Sequence, residues 1–434
     1  MTTDLADHIA SIRIVDTHEH LKKEAEWVDA GPGDVLADLF ANYVNADLIT
    51  AGANPQAVEN LQRCDQDIEH RFAAVSDAWD HVQFTGYGEA VRTSAAAVYG
   101  IDRLTAAQMK ASQDQLDALR RPGQRIRLLR DQALLDHIQT DDFCWACVAD
   151  ESGPDFFLYD LSWMAMANGQ IDAGALAEAT GITVTDLATL RQAIESLFER
   201  YGRSAIAVKS QHAYARTLRW QARSEADAER ALQQVLSHPD QEQNQTRLCL
   251  GDWCLARGVE QAIAYELPFK IHTGYMAGNH RMDVDRIRAG HLWPLLVEYP
   301  KARFVLMHIA YPYSEQLISL AKHFANVWVD LCWAWSINPL ASATFVRSFL
   351  HAAPRNKLFA FGGDTMWPTS AYAYSIQARR WLSRALQQMV DDGQLTEPQA
   401  MTVATCILRD NQMACFDLHG TREALADTVG TTAR

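Results

Sequence analysis

Short apolar runs that stop at a polar residue recur through the second half of the chain: Pro268–His272, Ala302–His308, Val327–Leu331 and Lys357–Phe361. They are rich in β-branched and aromatic residues, too short for helices, and each ends at a His, an Asp or a Gly-rich turn, so they are predicted as consecutive strands. Between them, residues Val284–Tyr299 and Ser314–Phe324 carry the apolar spacing of amphipathic helices. Strands alternating with helices at intervals of about 20 to 40 residues form repeated βα units and predict a parallel sheet with helices outside it.

The first half is less regular. Ile12–Asp16 is a good strand, Arg127–Ile138 and Phe156–Leu161 are candidates for the second and third, and Ala205–Lys209 is a fourth. That brings the total to eight and predicts an α/β chain folded as a (β/α)8 TIM barrel, one domain over residues 1–434. Residues 24–121 are mostly polar and helical and are read as a helical insertion after the first strand, capping the barrel. Asp172–Arg200 is predicted as a helical pair, Glu225–Ala264 as a further helical stretch, and Gly420–Arg434 as a polar, frayed tail. No internal repeat, Walker A loop or dinucleotide fingerprint occurs, and Gly362-Gly363 lacks the spacing of a phosphate-binding turn.

Composition narrows the partners. A hydrophobic fraction of 48% and a charged fraction of 21% suit a globular chain with a substantial core. The 39 basic against 54 acidic side chains, a net charge of −15, repel a polyphosphate backbone, so nucleic acid is excluded and a small molecule is the expected partner. The first residues show no basic stretch followed by an apolar run, and no apolar run of eighteen or more residues occurs, so a cytoplasmic protein with no secretory leader and no membrane contact is expected. The eight cysteines are scattered, which fits reduced thiols; Cys144-Trp-Ala-Cys147 has no second pair and reads as buried or partly buried free thiols.

Candidate chemistry gathers where the strands end. Residues two apart on a strand point the same way, so in His18-Glu19-His20 both imidazoles can face one ion while Glu19 turns away. A His-x-His pair alone is weak, but it sits at a strand end, the catalytic face of a (β/α)8 barrel. Three later strands end in the same class of group: His272, His308 and Asp364. Any one of these reads equally well as a bonded core histidine or a capping aspartate; four together favour a metal site.

In these residues the chain resembles the amidohydrolase superfamily, and more closely its branch of "amidohydrolase 2" enzymes and uronate isomerases, over most of the barrel. The resemblance implies that His18, His20, His272 and Asp364 bind a divalent metal, and that His308 binds a second ion or polarises the substrate. In two-metal members a fourth-strand lysine is carbamylated and bridges the ions, a role that falls to Lys209 only if it is modified. Unmodified, its ammonium repels a cation and suits a substrate carboxylate. One or two ions are therefore open, with zinc first and manganese, iron or nickel compatible.

Such a centre can lower the pKa of water and serve hydrolysis, with Asp364 moving the proton and His308 stabilising oxyanion charge. A metal-dependent hydrolase of a small, carboxylate-bearing amide, ester or lactone is expected; the alternative is a decarboxylase or a uronate-isomerase-like enzyme on the same site. His212, Arg216, His280 and Arg281 suggest an anionic substrate, although arginines in loops are commonly ion-paired. Trp333 and Trp335, with Trp367, are candidates for an aromatic wall or for core packing. The resemblance also implies that large helical insertions of this kind provide subunit contacts, so a homo-oligomer is compatible with it.

Overall fold

The computed structural model describes residues 4–238, 244–279 and 282–432. Eight parallel strands follow one another in sequence order: β1 (Ile14–Glu19), β2 (Leu135–Thr140), β3 (Phe157–Ser162), β4 (Ala205–Ser210), β5 (Pro268–His272), β6 (Arg303–Met307), β7 (Val327–Asp330) and β8 (Leu358–Phe359). The ring draws shut through the segment after β8. Thr17 N–H donates to Phe361 C=O at 3.1 Å, Asp364 N–H to His18 C=O at 2.9 Å, and His20 N–H to Thr365 C=O at 2.9 Å. This is a (β/α)8 barrel, as the alternation of apolar runs predicted.

Parallel strands covered on both faces should be continuously apolar. Those of this barrel are not: β1 to β5 bury Asp16, His137, Asp160, Lys209 and Lys270. Polar groups therefore share the barrel interior with a smaller apolar cluster that includes Leu158, Val305, Met307 and Phe359, while the larger core packs the outward faces of the strands against the outer helices.

Between β1 and β2 the chain runs through helices from Glu24–Ala30 to Gln124–Ile126, which share a second core built on Trp27, Phe40, Val44, Trp79 and Val91. Several boundaries differ from the sequence reading. Arg127–Gln132 is a π-helical turn rather than the start of β2: Leu128 and Leu129 are buried while Arg127 and Arg130 are exposed, a helical spacing of three. The helix expected from Val284 begins only at Trp293, after a short turn at Ala289–Leu292. The tail expected to fray forms the helix Leu418–Thr432, docked by buried Leu425 and by the Thr421 hydroxyl, which donates to Ala205 C=O at 3.3 Å. Cys144 and Cys147 are both free, and Cys144 is exposed, not buried.

Candidate metal centre

β1 delivers His18 and His20 to one end of the barrel, where they meet Asp364 from the turn after β8. Nε2 of His18 and Nε2 of His20 each lie 3.4 Å from Asp364 Oδ1, and His308 Nε2 lies 3.6 Å from Oδ2. Ligand-type atoms of His18, His20 and Asp364 fall within 4.8 Å of one another, as do those of His308, Cys332 and Asp364. Asp364 belongs to both groups. His272 belongs to neither, but its ring centroid is 4.3 Å from that of His308.

The ring tautomers are set from behind. His20 Nδ1–H donates to Asp141 C=O at 2.6 Å, which leaves the Nε2 lone pair facing Asp364; His272 Nε2–H donates to Tyr275 C=O at 2.9 Å and leaves Nδ1 free. Neither ring nitrogen of buried His308 has a hydrogen-bond partner. Burial, then the Lys209 ammonium, holds the His18 pKa well below its ordinary value and lowers that of His272 to about 3. His308 is lowered by burial and by His272. Burial alone would raise Asp364, but the imidazoles of His18, His308 and His20 outweigh it and hold the carboxyl well below its usual range. Neutral imidazoles around an ionised carboxylate, with unpartnered buried nitrogens, are a donor set suited to a divalent metal.

The shell beneath is tightly specified. Lys270 Nζ donates to Asp160 Oδ1 at 2.8 Å, to Oδ2 at 2.9 Å, and to Thr17 C=O at 2.8 Å; Asp160 Oδ2 stands 3.9 Å from His18 Nδ1. Lys209 Nζ donates to His18 Nε2 at 3.0 Å. A Cβ on Gly363 would lie 1.9 Å from Glu19 Oε1, so only glycine lets that carboxylate reach past to the Thr365 main-chain N–H and hydroxyl. Asp364 itself is left-handed (φ 57°), and the Tyr43 hydroxyl donates to its main-chain carbonyl. His308, Ile309, Ala310 and Cys332 are also left-handed, so strain concentrates at the ends of three adjacent strands.

The expected substrate contacts separate. Trp333 is at the centre, its ring centroid 5.5 Å from His308 and its buried indole N–H unpartnered. Trp335 is core instead: its N–H donates to Ala360 C=O at 2.7 Å. His212 is buried, its Nδ1 bonded to Ser210 Oγ at 2.8 Å and its Nε2 without a partner. The Arg216 guanidinium is committed internally, to Asp252 Oδ1 at 2.5 Å and to the carbonyls of Ala167, Thr217 and Arg219, so its placement gives no support to substrate binding. His280 and Arg281 lie outside the described residues. A cavity of about 640 Å³ reaches His20 and Asp364, walled by Lys22, Tyr43, Phe143, Met366 and Trp367. Sequence reasoning missed Tyr43, Asp141, Phe143 and Cys332; only Cys332, two residues beyond the strand-ending Asp330, had a position that pointed to the site.

Fold and donor set define a barrel enzyme of the metal-dependent kind. The chain belongs to the amidohydrolase family, whose model matches residues 145–411. It is 27% identical over 176 residues, 39% of the chain, to the protein fluG of Emericella nidulans, and spans about a fifth (20%) of that protein's length. Its fold is similar to that of uronate isomerase from Thermotoga maritima (TM-score 0.77, 15% identity, covering 95% of this chain and 96% of the other). A protein of Lactobacillus casei described as a metal-dependent hydrolase also matches (TM-score 0.67, 15% identity, 98% and 99% covered). So does glucuronate isomerase from Caulobacter crescentus (TM-score 0.77, 16% identity, 96% and 93% covered). No helix among the described residues is long and apolar enough to cross a membrane.

Proposed function

We propose that this chain hydrolyses a small amide, ester or lactone at a centre where His18, His20, His272 and Asp364 hold a divalent ion, zinc first among the candidates. The observation that carries the reading is the division of one carboxylate: Oδ1 of Asp364 faces the paired histidines, and Oδ2 faces His308. An ion held there supplies Lewis acidity and brings the deprotonation of water towards neutral pH.

Asp364, ionised and 5% exposed, is the group placed to take the proton of an attacking water and return it to the leaving nitrogen or oxygen. His308, kept neutral by burial, presents an imidazole nitrogen to a carbonyl oxygen as negative charge develops on it. Trp333 and Tyr43 pack edge to face, ring centroids 4.2 Å apart, and exclude bulk water on the His308 side. With Arg216 committed elsewhere, the expected anionic group on the substrate is supported mainly by Lys209, whose buried Nζ is beside His18.

The test is turnover by metal-loaded protein in water labelled with heavy oxygen, across amides, esters and lactones. Label in the product acid is the expected result. Release of carbon dioxide, or interconversion of sugar acids without label, would replace hydrolysis by decarboxylation or isomerisation on the same residues.

A further inference from the structure

We infer that Phe143 selects the substrate, taking a planar apolar group, an aromatic ring or conjugated chain, carried next to the reacting bond. The inference rests on the centre proposed above and adds what it recognises.

Phe143 follows β2 at the lip of the cavity that reaches His20 and Asp364, and it also borders a second cavity of about 800 Å³ beside Ser162 and Met164. Its ring lies parallel to that of His20, centroids 4.5 Å apart and planes 8° apart, yet the residue remains 59% exposed. Met366, on the wall of the same cavity, is 47% exposed. An aromatic side chain left this open gains little from its own burial.

The backbone makes the choice of residue more pointed. Phe143 has φ 63°, a region that glycine or asparagine enters freely and a bulky side chain resists. The conformation is held by the fully buried Asp141, whose Oδ1 accepts Phe143 N–H at 2.9 Å while its Oδ2 accepts from Gln211 at 3.0 Å. The carbonyl of the same Asp141 holds His20 Nδ1–H. One residue thus fixes both a proposed metal ligand and the aromatic plate stacked on it. Backbone strain held by a buried network gathers at ligand contacts, and here it stands at the mouth of the cavity.

The lysines of this wall are already partnered: Lys22 Nζ is 3.5 Å from Glu26, and Lys23 Nζ donates to Val148 C=O at 3.2 Å and stands 5.2 Å over the Tyr159 ring. What the wall offers beside His20 is therefore apolar surface and a ring face rather than free positive charge.

The experiment compares acetohydroxamate with benzohydroxamate, which share a chelating end and differ in the planar group, by calorimetry on zinc-loaded protein. Wild type is expected to prefer benzohydroxamate by about tenfold, and the ratio is expected to fall to within about twofold in Phe143→Ala and in Phe143→Gly. Glycine adopts the local φ without strain, so Phe143→Gly should melt no lower than wild type, which separates lost recognition from lost folding. Equal binding of the two probes by wild type, or a preference kept in both variants, overturns the inference. If sedimentation shows that the substitutions alter the oligomeric state while the preference persists, Phe143 is a subunit contact instead. If neither hydroxamate binds zinc-loaded wild type, the metal centre itself is wrong and the inference falls with it, an outcome distinct from binding without preference.

Discussion

Lys209 Nζ donates a 3.0 Å hydrogen bond to Nε2 of His18, the nitrogen that also faces Asp364. An ammonium on that lone pair competes with any cation for it. One ion per chain and an unmodified Lys209 are therefore expected, with Lys209→Met binding zinc at least as tightly as wild type in chelator competition. A carbamylated bridge would give the opposite pattern: two ions in wild type, loss of one in the variant, and an added carboxyl in the intact mass.

Asp364 carries both halves of the proposed chemistry. Asp364→Asn keeps the volume and removes the charge, so turnover should fall by about 10²-fold or more and zinc affinity should weaken in parallel. An amide variant with near wild-type turnover would reassign the proton transfer to another group.

Tyr43 comes from the helices between β1 and β2, and its hydroxyl donates to the carbonyl of left-handed Asp364. Removing a supporting contact of this kind weakens metal binding or activity by about 10- to 100-fold. Tyr43→Phe is expected to behave so, lowering kcat more than it raises KM. Tyr87→Phe is the control, because that neighbouring buried hydroxyl has no hydrogen-bond partner. Equal behaviour of the two variants would show that Tyr43 only packs.

Gly363→Ala brings a Cβ to 1.9 Å from Glu19 Oε1. Overpacking a buried site costs about 1 to 3 kcal/mol, so the variant should unfold at lower denaturant and bind zinc more weakly, since Glu19 lies between the two histidines. A stable variant with intact metal affinity would mean that β1 and the turn after β8 shift freely.

Asp330 supplies a pH prediction. Its Oδ2 is 2.5 Å from Thr17 Oγ, which is also 2.7 Å from the Phe361 carbonyl. The single hydroxyl proton can serve only one of these acceptors at a time, so an ionised Asp330 must share it with the Phe361 carbonyl. Burial raises its pKa to about 7 from the ordinary 3.8, against hydrogen bonds from Thr17 and the Cys332 amide. A raised folded pKa means that the contribution is fully present below pH 3.8 and is lost as pH rises through about 7. Asp330→Asn mimics the protonated acid. Measured with chelator present, its unfolding free energy relative to wild type should climb between pH 4 and pH 8 by roughly 4 kcal/mol. A constant difference would mean that Asp330 is ionised in the native barrel.

The strand rhythm of the second half was legible because each run is short, apolar and ends at a ligand-type residue; β5, β6 and β7 lie where that pattern places them. Periodicity also gave His18 and His20 a common direction, since alternation along a strand is local geometry. His272, His308 and Asp364 were recognisable by type and by strand-end position alone. Arg127–Gln132 was not legible, because adjacent buried leucines suit a strand or a helical turn equally.

What tertiary structure decided is which polar groups still have free valence at the centre. Arg216 and Trp335 read as binding residues from their positions, but Asp252 and the Ala360 carbonyl, distant in sequence, take up their donors. Tyr43, Asp141 and Phe143 are ordinary residues in an irregular stretch until the barrel closes and brings them against Asp364 and His20. By itself the sequence determined the barrel and the kinds of ligand at its mouth, since both follow from short-range periodicity. The protonation states, the ring tautomers and the wall of the cavity depend on burial and on partners far along the chain, and only the folded structure supplies those.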